Sequence, residues 1–335
     1  MNADSHAAPV SGGGHAPRAD AGAAPAPARA KADGPRIALV LGAGGARGLA
    51  HLGVLDVIEE RGLQVAAIAG SSMGALVGGI YAAGHFKAYR DWATRLQRSD
   101  VIRLVDIAFG HPGLIKGDRV IGALRDLVGD HLIEELPIPY TAVACDVEAQ
   151  REVWLQKGKL FDAIRASMAI PMVFTPFRLN GRDLVDGGLL APVPIAATRQ
   201  ALVDAVVAVD VNARPARVPA AESKPLAGAT APAPSAEAEG VTSRLVSIVG
   251  AWMERRSAAA AAEADAAPPG VLDLMSRSLD TMQAQLSRLQ LALDPPDVLV
   301  NVSRDACLFY EYWRAEEMIA LGRAAAEEAL DAAGL

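Results

Sequence analysis

Through the first two thirds of the chain, short apolar runs stopped by glycine alternate with stretches of helical periodicity. Ile37–Leu41 is apolar and partly β-branched, and it ends at Gly42. His51–Arg61 follows, with Leu52, Leu55 and Ile58 on one face, the spacing of an amphipathic helix. Val65–Ala69 is a second apolar run, stopped by Gly70, and Ala75–Ala83 continues as helix. Tyr140–Cys145 and Leu202–Val211 are further strand candidates. Strand, loop and helix in repetition predict an α/β fold: a mostly parallel central sheet flanked by helices on both faces. The site of such a sheet lies beyond the carboxyl ends of its strands, where both glycine-rich loops fall.

The remainder of the chain divides by composition. Residues 1–35 are rich in Ala, Pro and Gly, too poor in large apolar groups to offset the entropy of ordering, and predict a flexible head. Residues 36–212 form the dense core region. Residues 213–270 are alanine-rich and predict a linker or mobile insertion before a helical tail. Within that insertion Val241, Leu245, Ile248, Val249 and Trp252 share one helical face, followed by Arg255 and Arg256. The stripe reads either as ordinary core or as a contact with a membrane interface. In the tail, 271–335, Leu272, Met275, Leu279, Met282, Leu286, Leu289 and Leu293 alternate spacings of three and four. This seam predicts a long helix packed on the sheet or on a neighbour, or else a dimerising coiled coil. Asp297–Val302 predicts a strand that returns to the core.

Composition narrows the function classes. The chain has 335 residues, 51% of them hydrophobic, which is enough for a large core. A formal charge of −7 gives no basic footprint, so nucleic acid is not expected as a partner. Cys145 and Cys307 lie far apart without metal-ligand spacing, which argues for a reducing compartment. No basic start followed by an apolar run marks a secretory signal. Val65–Gly84 is uncharged, but its five glycines suit a buried strand, turn and helix better than a membrane span. The expected location is cytoplasmic, with transient contact at the inner membrane surface. The tail seam by itself sets no oligomeric state.

Three motifs carry chemistry. Gly70-Ser71-Ser72-Met73-Gly74 follows a strand and precedes a small-residue helix, the setting of a nucleophile elbow that presents Ser72 outward. Serine needs a base, and no histidine follows His131, so a histidine placed after a late acid is excluded. Asp186-Gly187-Gly188 offers a carboxylate instead, although the triplet alone reads equally as an Asp-Gly hairpin turn. Gly42-Ala43-Gly44-Gly45-Ala46-Arg47-Gly48 follows the first strand. As a dinucleotide loop it lacks the acidic ribose partner at the end of the second strand. As an oxyanion hole it directs the amides of Gly44 and Gly45 at a developing negative oxygen. Arg47 either braces this loop or meets a phosphate, His51 reads as a hydrogen-bonding helix residue, and Asp146 as a loop anchor.

Taken together, Leu41–Leu55, Ala166-Ser167-Met168-Ala169-Ile170-Pro171 and Asp186-Gly187-Gly188 resemble the patatin-like phospholipase family. The resemblance covers about Arg36–Asn212 and resumes near Pro295–Arg323. It is closest in style to the short bacterial members, which share a domain type with neuropathy target esterase. It implies a Ser72–Asp186 dyad, an oxyanion hole in the glycine-rich loop, no metal and no cofactor. The implied reaction is hydrolysis of lipid carboxylic esters, of phospholipase A or lysophospholipase type. Gly42, Arg47, Gly48, Gly70, Gly74, Gly187 and Gly188 stand as supporting motif positions. Ala43 departs from the glycine pattern and loosens the loop motif. The alternatives are a catalytically weak member that only binds lipid or a regulatory partner, and a nucleotide-binding oxidoreductase.

Overall fold

The computed structural model describes residues 34–106, 108, 113–214 and 271–335. The predicted head, most of the insertion with its Val241–Trp252 stripe, and His111 lie outside the described residues. Strands β1 (Arg36–Leu41), β2 (Gln64–Ser71), β3 (Tyr140–Asp146), β4 (Arg151–Leu155), β5 (Phe177–Leu179), β6 (Arg182–Asp186), β7 (Ala205–Ala213) and β8 (Val298–Ser303) form one sheet. Its order is β5-β6-β3-β2-β1-β7-β8, with β4 paired to β3. The β3-β2-β1-β7-β8 portion is parallel, whereas β4, β5 and β6 run antiparallel to their neighbours.

Burial follows strand position. Ile37–Leu41 of β1 is buried on both faces, as a central parallel strand covered by helices requires. At the edge, Val298, Val300 and Val302 of β8 face inward while Asn301 is exposed, the period of two of a half-covered strand. The covering helices are α1 (Ala50–Glu60), α2 (Met73–Ala82), α3 (Phe86–Arg95), α4 (Arg98–Leu104), α5 (Asp118–Val128), α6 (Leu160–Ser167), α7 (Val271–Leu293) and α8 (Ala315–Ala333). None of the described helices is long and apolar enough to cross a membrane.

Two expectations need correction. The strand predicted from Leu202 begins at Ala205, and Leu202 is left outside it and exposed. The leucine and methionine seam of α7 is not packed on the sheet of its own chain, which corrects the first reading of it and leaves the coiled-coil reading standing. Ala284 and Ser287 face the core, and Leu291 packs near Val40 and Ala208. Met282, Leu289 and Leu293 are exposed. The orientation follows polar bonds that hydrophobic spacing does not reveal. Ser287 Oγ donates to Asp210 Oδ2 at 2.9 Å, and Gln290 Nε2 donates to the Leu190 carbonyl at 2.8 Å. These bonds satisfy buried polar groups, and the small Ala284 one turn before Ser287 lets the helix approach closely.

Candidate active site

Strand order brings the three motifs together. Strand order reverses at β1, with β2 and β3 laid down on one side and β7 and β8 on the other, a topological switch point of the kind that opens a crevice at strand carboxyl ends. The glycine-rich loop leaves β1 there. Leu41 of β1 pairs with Gly70 of β2, so that loop and the Ser72 turn leave the sheet side by side. A side chain on Gly74 would collide with the Leu41 carbonyl, which is why this crossing of loop and helix needs glycine.

Ser72 has φ 54° and ψ −121°, a backbone conformation that non-glycine residues rarely adopt. The strain is that of a strand turning sharply into a helix, here from β2 straight into α2. Ser72 is buried from bulk solvent yet lines a large cavity. Its neighbour Ser71 points away and donates to the Ala191 carbonyl at 2.6 Å.

The sheet register places Asp186. One edge of β3 is taken by β4 from Ala142 to Asp146. A strand has only two edges, so β2 and β6 must share the other. β2 occupies it up to the Val143–Ser71 pair, and β6 takes over at the Ala144–Asp186 pair. Asp186 therefore lies one rung beyond the residue that precedes Ser72. It ends β6 and does not form the Asp-Gly hairpin that the sequence allowed. Its Oδ1 accepts the Gly188 amide at 2.7 Å, which opens a short 3-10 turn.

Burial dominates the carboxyl's electrostatics and pushes its pKa from 3.8 up to about 7. Hydrogen bonds from the Ser72 hydroxyl and the Gly188 amide oppose that rise. The Ser72 contact is a loose one, for Asp186 Oδ2 is buried without a hydrogen-bond partner of ordinary geometry. Catalytic hydrogen bonds are often long before substrate arrives. A carboxyl poised near neutrality beside a serine hydroxyl is suited to accept its proton.

The glycine-rich loop divides its amides between two tasks. Gly42 N–H donates to the Val209 carbonyl, Ala43 N–H to Pro192 and Ala46 N–H to Phe309, at 2.8–3.0 Å. Among the described residues no such bond is made by the amides of Gly44 and Gly45, which line the same cavity as Ser72. Gly45 has φ +57°, and Asn212 Nδ2 fixes the loop from β7 by donating to the Ala43 carbonyl at 2.6 Å. Arg47 braces the loop: Nη1 donates to the Arg304 carbonyl at 3.1 Å, and Nη2 lies 3.6 Å from Asp280 of α7. His51 is fully buried, its Nε2 2.9 Å from the Gly42 carbonyl, and burial lowers its pKa to about 4. Gly48 packs against Met73, while Gly187 and Gly188 press on the Val143 carbonyl and the Ala43 side chain. Asp146 accepts the Ala149 amide at 2.9 Å and anchors a turn.

The cavity holds about 1250 Å³ and is walled mainly by apolar side chains. That exceeds the roughly 300–1,000 Å³ of a pocket for a drug-sized ligand. Its deep wall includes Leu76, Tyr89 and Leu124, and its rim includes the exposed Leu114, Met172, Met275 and Met282. Helices α3, α4 and α5 and the α7 face thus build a lining that motif reading missed. Periodicity in Phe86–Val128 was the available signal for it. Among the described residues no three His, Cys, Asp or Glu side chains gather into a metal-binding group.

Residues 39–199 match the family model described as patatin-like phospholipase. An uncharacterized NTE family protein of Mycobacterium tuberculosis is 40% identical, over 92% of this chain and 96% of the relative. The lysophospholipase NTE1 of Saccharomyces cerevisiae is 33% identical, over 56% of this chain and 11% of its own length. The human patatin-like phospholipase domain-containing protein 6 is 32% identical, over 54% of this chain and 14% of its own length. Among solved structures, VipD from Legionella pneumophila aligns with a TM-score of 0.40 at 14% identity, over 90% of this chain and 67% of its own.

Proposed function

Because the chain belongs to the patatin-like phospholipase family, we propose that it hydrolyses carboxylic esters of lipids, as a phospholipase A or lysophospholipase, through an acyl-enzyme on Ser72. The observation that carries this reading is Asp186, a buried carboxyl with a pKa near 7, next to a serine on a strained turn at an apolar cavity. Ser72 Oγ attacks the ester carbonyl carbon as its proton passes to Asp186 Oδ2, the oxygen without a partner. The carbonyl oxygen becomes an oxyanion that faces the amides of Gly44 and Gly45, donors already oriented by the anchored amides on either side. The C–O bond to the alcohol then breaks, and the proton held by Asp186 goes to the departing oxygen. Water attacks the acyl-enzyme with Asp186 again as base, which releases the fatty acid and restores Ser72.

The cavity supports the substrate class. Its apolar lining suits an acyl chain, and its exposed rim of Leu114, Met172, Met275 and Met282 suits a substrate that arrives from a lipid phase. The expected setting is the cytoplasmic face of a membrane, visited reversibly. The test is direct. Wild-type protein is expected to react with a fluorophosphonate probe and to release fatty acid from lysophosphatidylcholine, and Ser72→Ala to do neither. A wild type that binds the lipid but does neither would mark a binding protein of the same fold.

A further inference from the structure

The edge of β3 that holds Ser72 and Asp186 together changes partner in mid-strand. Up to Val143 it pairs with β2, and from Ala144 with β6. Beyond the last paired rung of β2, the Ser72 amide meets no strand carbonyl. It donates to Ser167 Oγ at 2.9 Å, and the same hydroxyl donates to the Val143 carbonyl at 2.5 Å. Ser167 is wholly buried at the end of α6. Its hydroxyl therefore stands in for a main-chain rung where the sheet changes partner. Two residues later, the Ala169 carbonyl accepts the Asp186 amide at 3.0 Å. The three-residue segment Ser167–Ala169 thus grips the backbone of both members of the pair.

We propose that Ser167 is a positioning residue for the reaction on Ser72, an inference that rests on Ser72 being the nucleophile. Its hydroxyl holds the strained Ser72 backbone in place and thereby fixes the approach of Ser72 Oγ to Asp186. It also occupies the Ser72 amide, which leaves oxyanion binding to other donors, those of Gly44 and Gly45. Ser167 touches no substrate, because it lies behind the turn and is not part of the cavity lining. Its loss should therefore slow the chemical step and leave substrate binding unchanged. A residue that merely fills space would alter thermal stability without this division.

The experiment compares wild type, Ser72→Ala, Ser167→Ala, Ser167→Thr and Ser167→Cys. Hydrolysis of p-nitrophenyl butyrate, labelling by a fluorophosphonate and thermal melting are measured for each. Ser167→Ala is expected to lower kcat and the labelling rate by ~10–100-fold, with KM within about twofold, as for a misplaced catalytic group. Ser167→Thr, which keeps the hydroxyl, is expected to recover most of both rates. Wild-type kcat in a folded Ser167→Ala overturns the proposal, and so does a Ser167→Thr as slow as the alanine variant. If Ser167→Ala does not fold, the near-isosteric Ser167→Cys decides: full kcat overturns the proposal, and reduced kcat at unchanged KM upholds it. Retained turnover in Ser72→Ala would instead refute the assignment of the nucleophile, a different outcome from any of these.

Discussion

Replacing Asp186 by asparagine should stabilise the protein at alkaline pH while it abolishes turnover. Burial raises the carboxyl from 3.8 to about 7 in the folded state. Below 3.8 both folded and unfolded chains hold the proton, and the residue contributes nothing to the pH dependence. Between the two values only the folded chain holds it, so stability falls as pH rises. Above about 7 the folded state carries a desolvated carboxylate, and the full penalty is about 4 kcal/mol at ~1.4 kcal/mol per pH unit. Asparagine has no charge to desolvate, and whatever its amide loses in hydrogen bonding does not vary with pH. Urea unfolding of wild type and Asp186→Asn at about pH 5 and about pH 8 should then show the variant gaining ~3 kcal/mol relative to wild type between the two. Over the same range wild-type kcat/KM should rise through a single ionisation near 7, since only the carboxylate accepts the serine proton. An unchanged stability difference at the two pH values, or a kcat/KM flat across neutrality, would refute the buried-base reasoning.

Ser72→Ala should lower ester hydrolysis by at least ~10³-fold, whereas Ser71→Ala, which loses a bond to the Ala191 carbonyl, should chiefly lower the melting temperature. Equal losses of activity from both would displace Ser72 as nucleophile. His85→Ala and His131→Ala should leave turnover intact, and His51→Ala should cost ~1–3 kcal/mol of stability, read by urea unfolding, while hydrolysis persists. Abolished turnover in any of these folded variants would point to a histidine base. Trp92→Ala should shift preference in a p-nitrophenyl ester series toward longer acyl chains, because Trp92 lines both the main cavity and a neighbouring one of about 320 Å³. An unchanged chain-length profile would place the acyl chain elsewhere in the cavity.

The parallel core was legible in the sequence because strands covered on both faces must be continuous apolar runs. Ile37–Leu41 and Val65–Ala69 could hardly be anything else once glycine closed each of them. The seam of α7 misled for a related reason. Hydrophobic spacing reports which residues share a face, not which face the fold covers. Asp210, Ser287 and Gln290 decided that through buried polar bonds. The antiparallel β4, β5 and β6 are only five, three and five residues long and mix exposed with covered positions, so they left no long apolar run to detect.

The candidate residues stood out in the sequence for a different reason than their geometry does. Ser72 and Asp186 stood out because glycines crowd around them, and the structure ties those glycines to close backbone approaches, Gly74 on Leu41 and Gly187 on Val143. Glycine in a sequence marks where main chains must touch, but not which main chain. The strand that both β2 and β6 pair with is β3, whose sequence Tyr140–Asp146 contains no catalytic residue type at the decisive rungs. Val143 and Ala144 act only through their backbone and their place in the register. The role of Ser167, which the sequence offers only as a motif position, was hidden for the same reason: its hydroxyl replaces a main-chain bond, and no side-chain pattern announces a missing rung. A candidate site built from the exchange of partners along one strand therefore offers its residue types in the sequence, while its spacing becomes visible only once the sheet order is known.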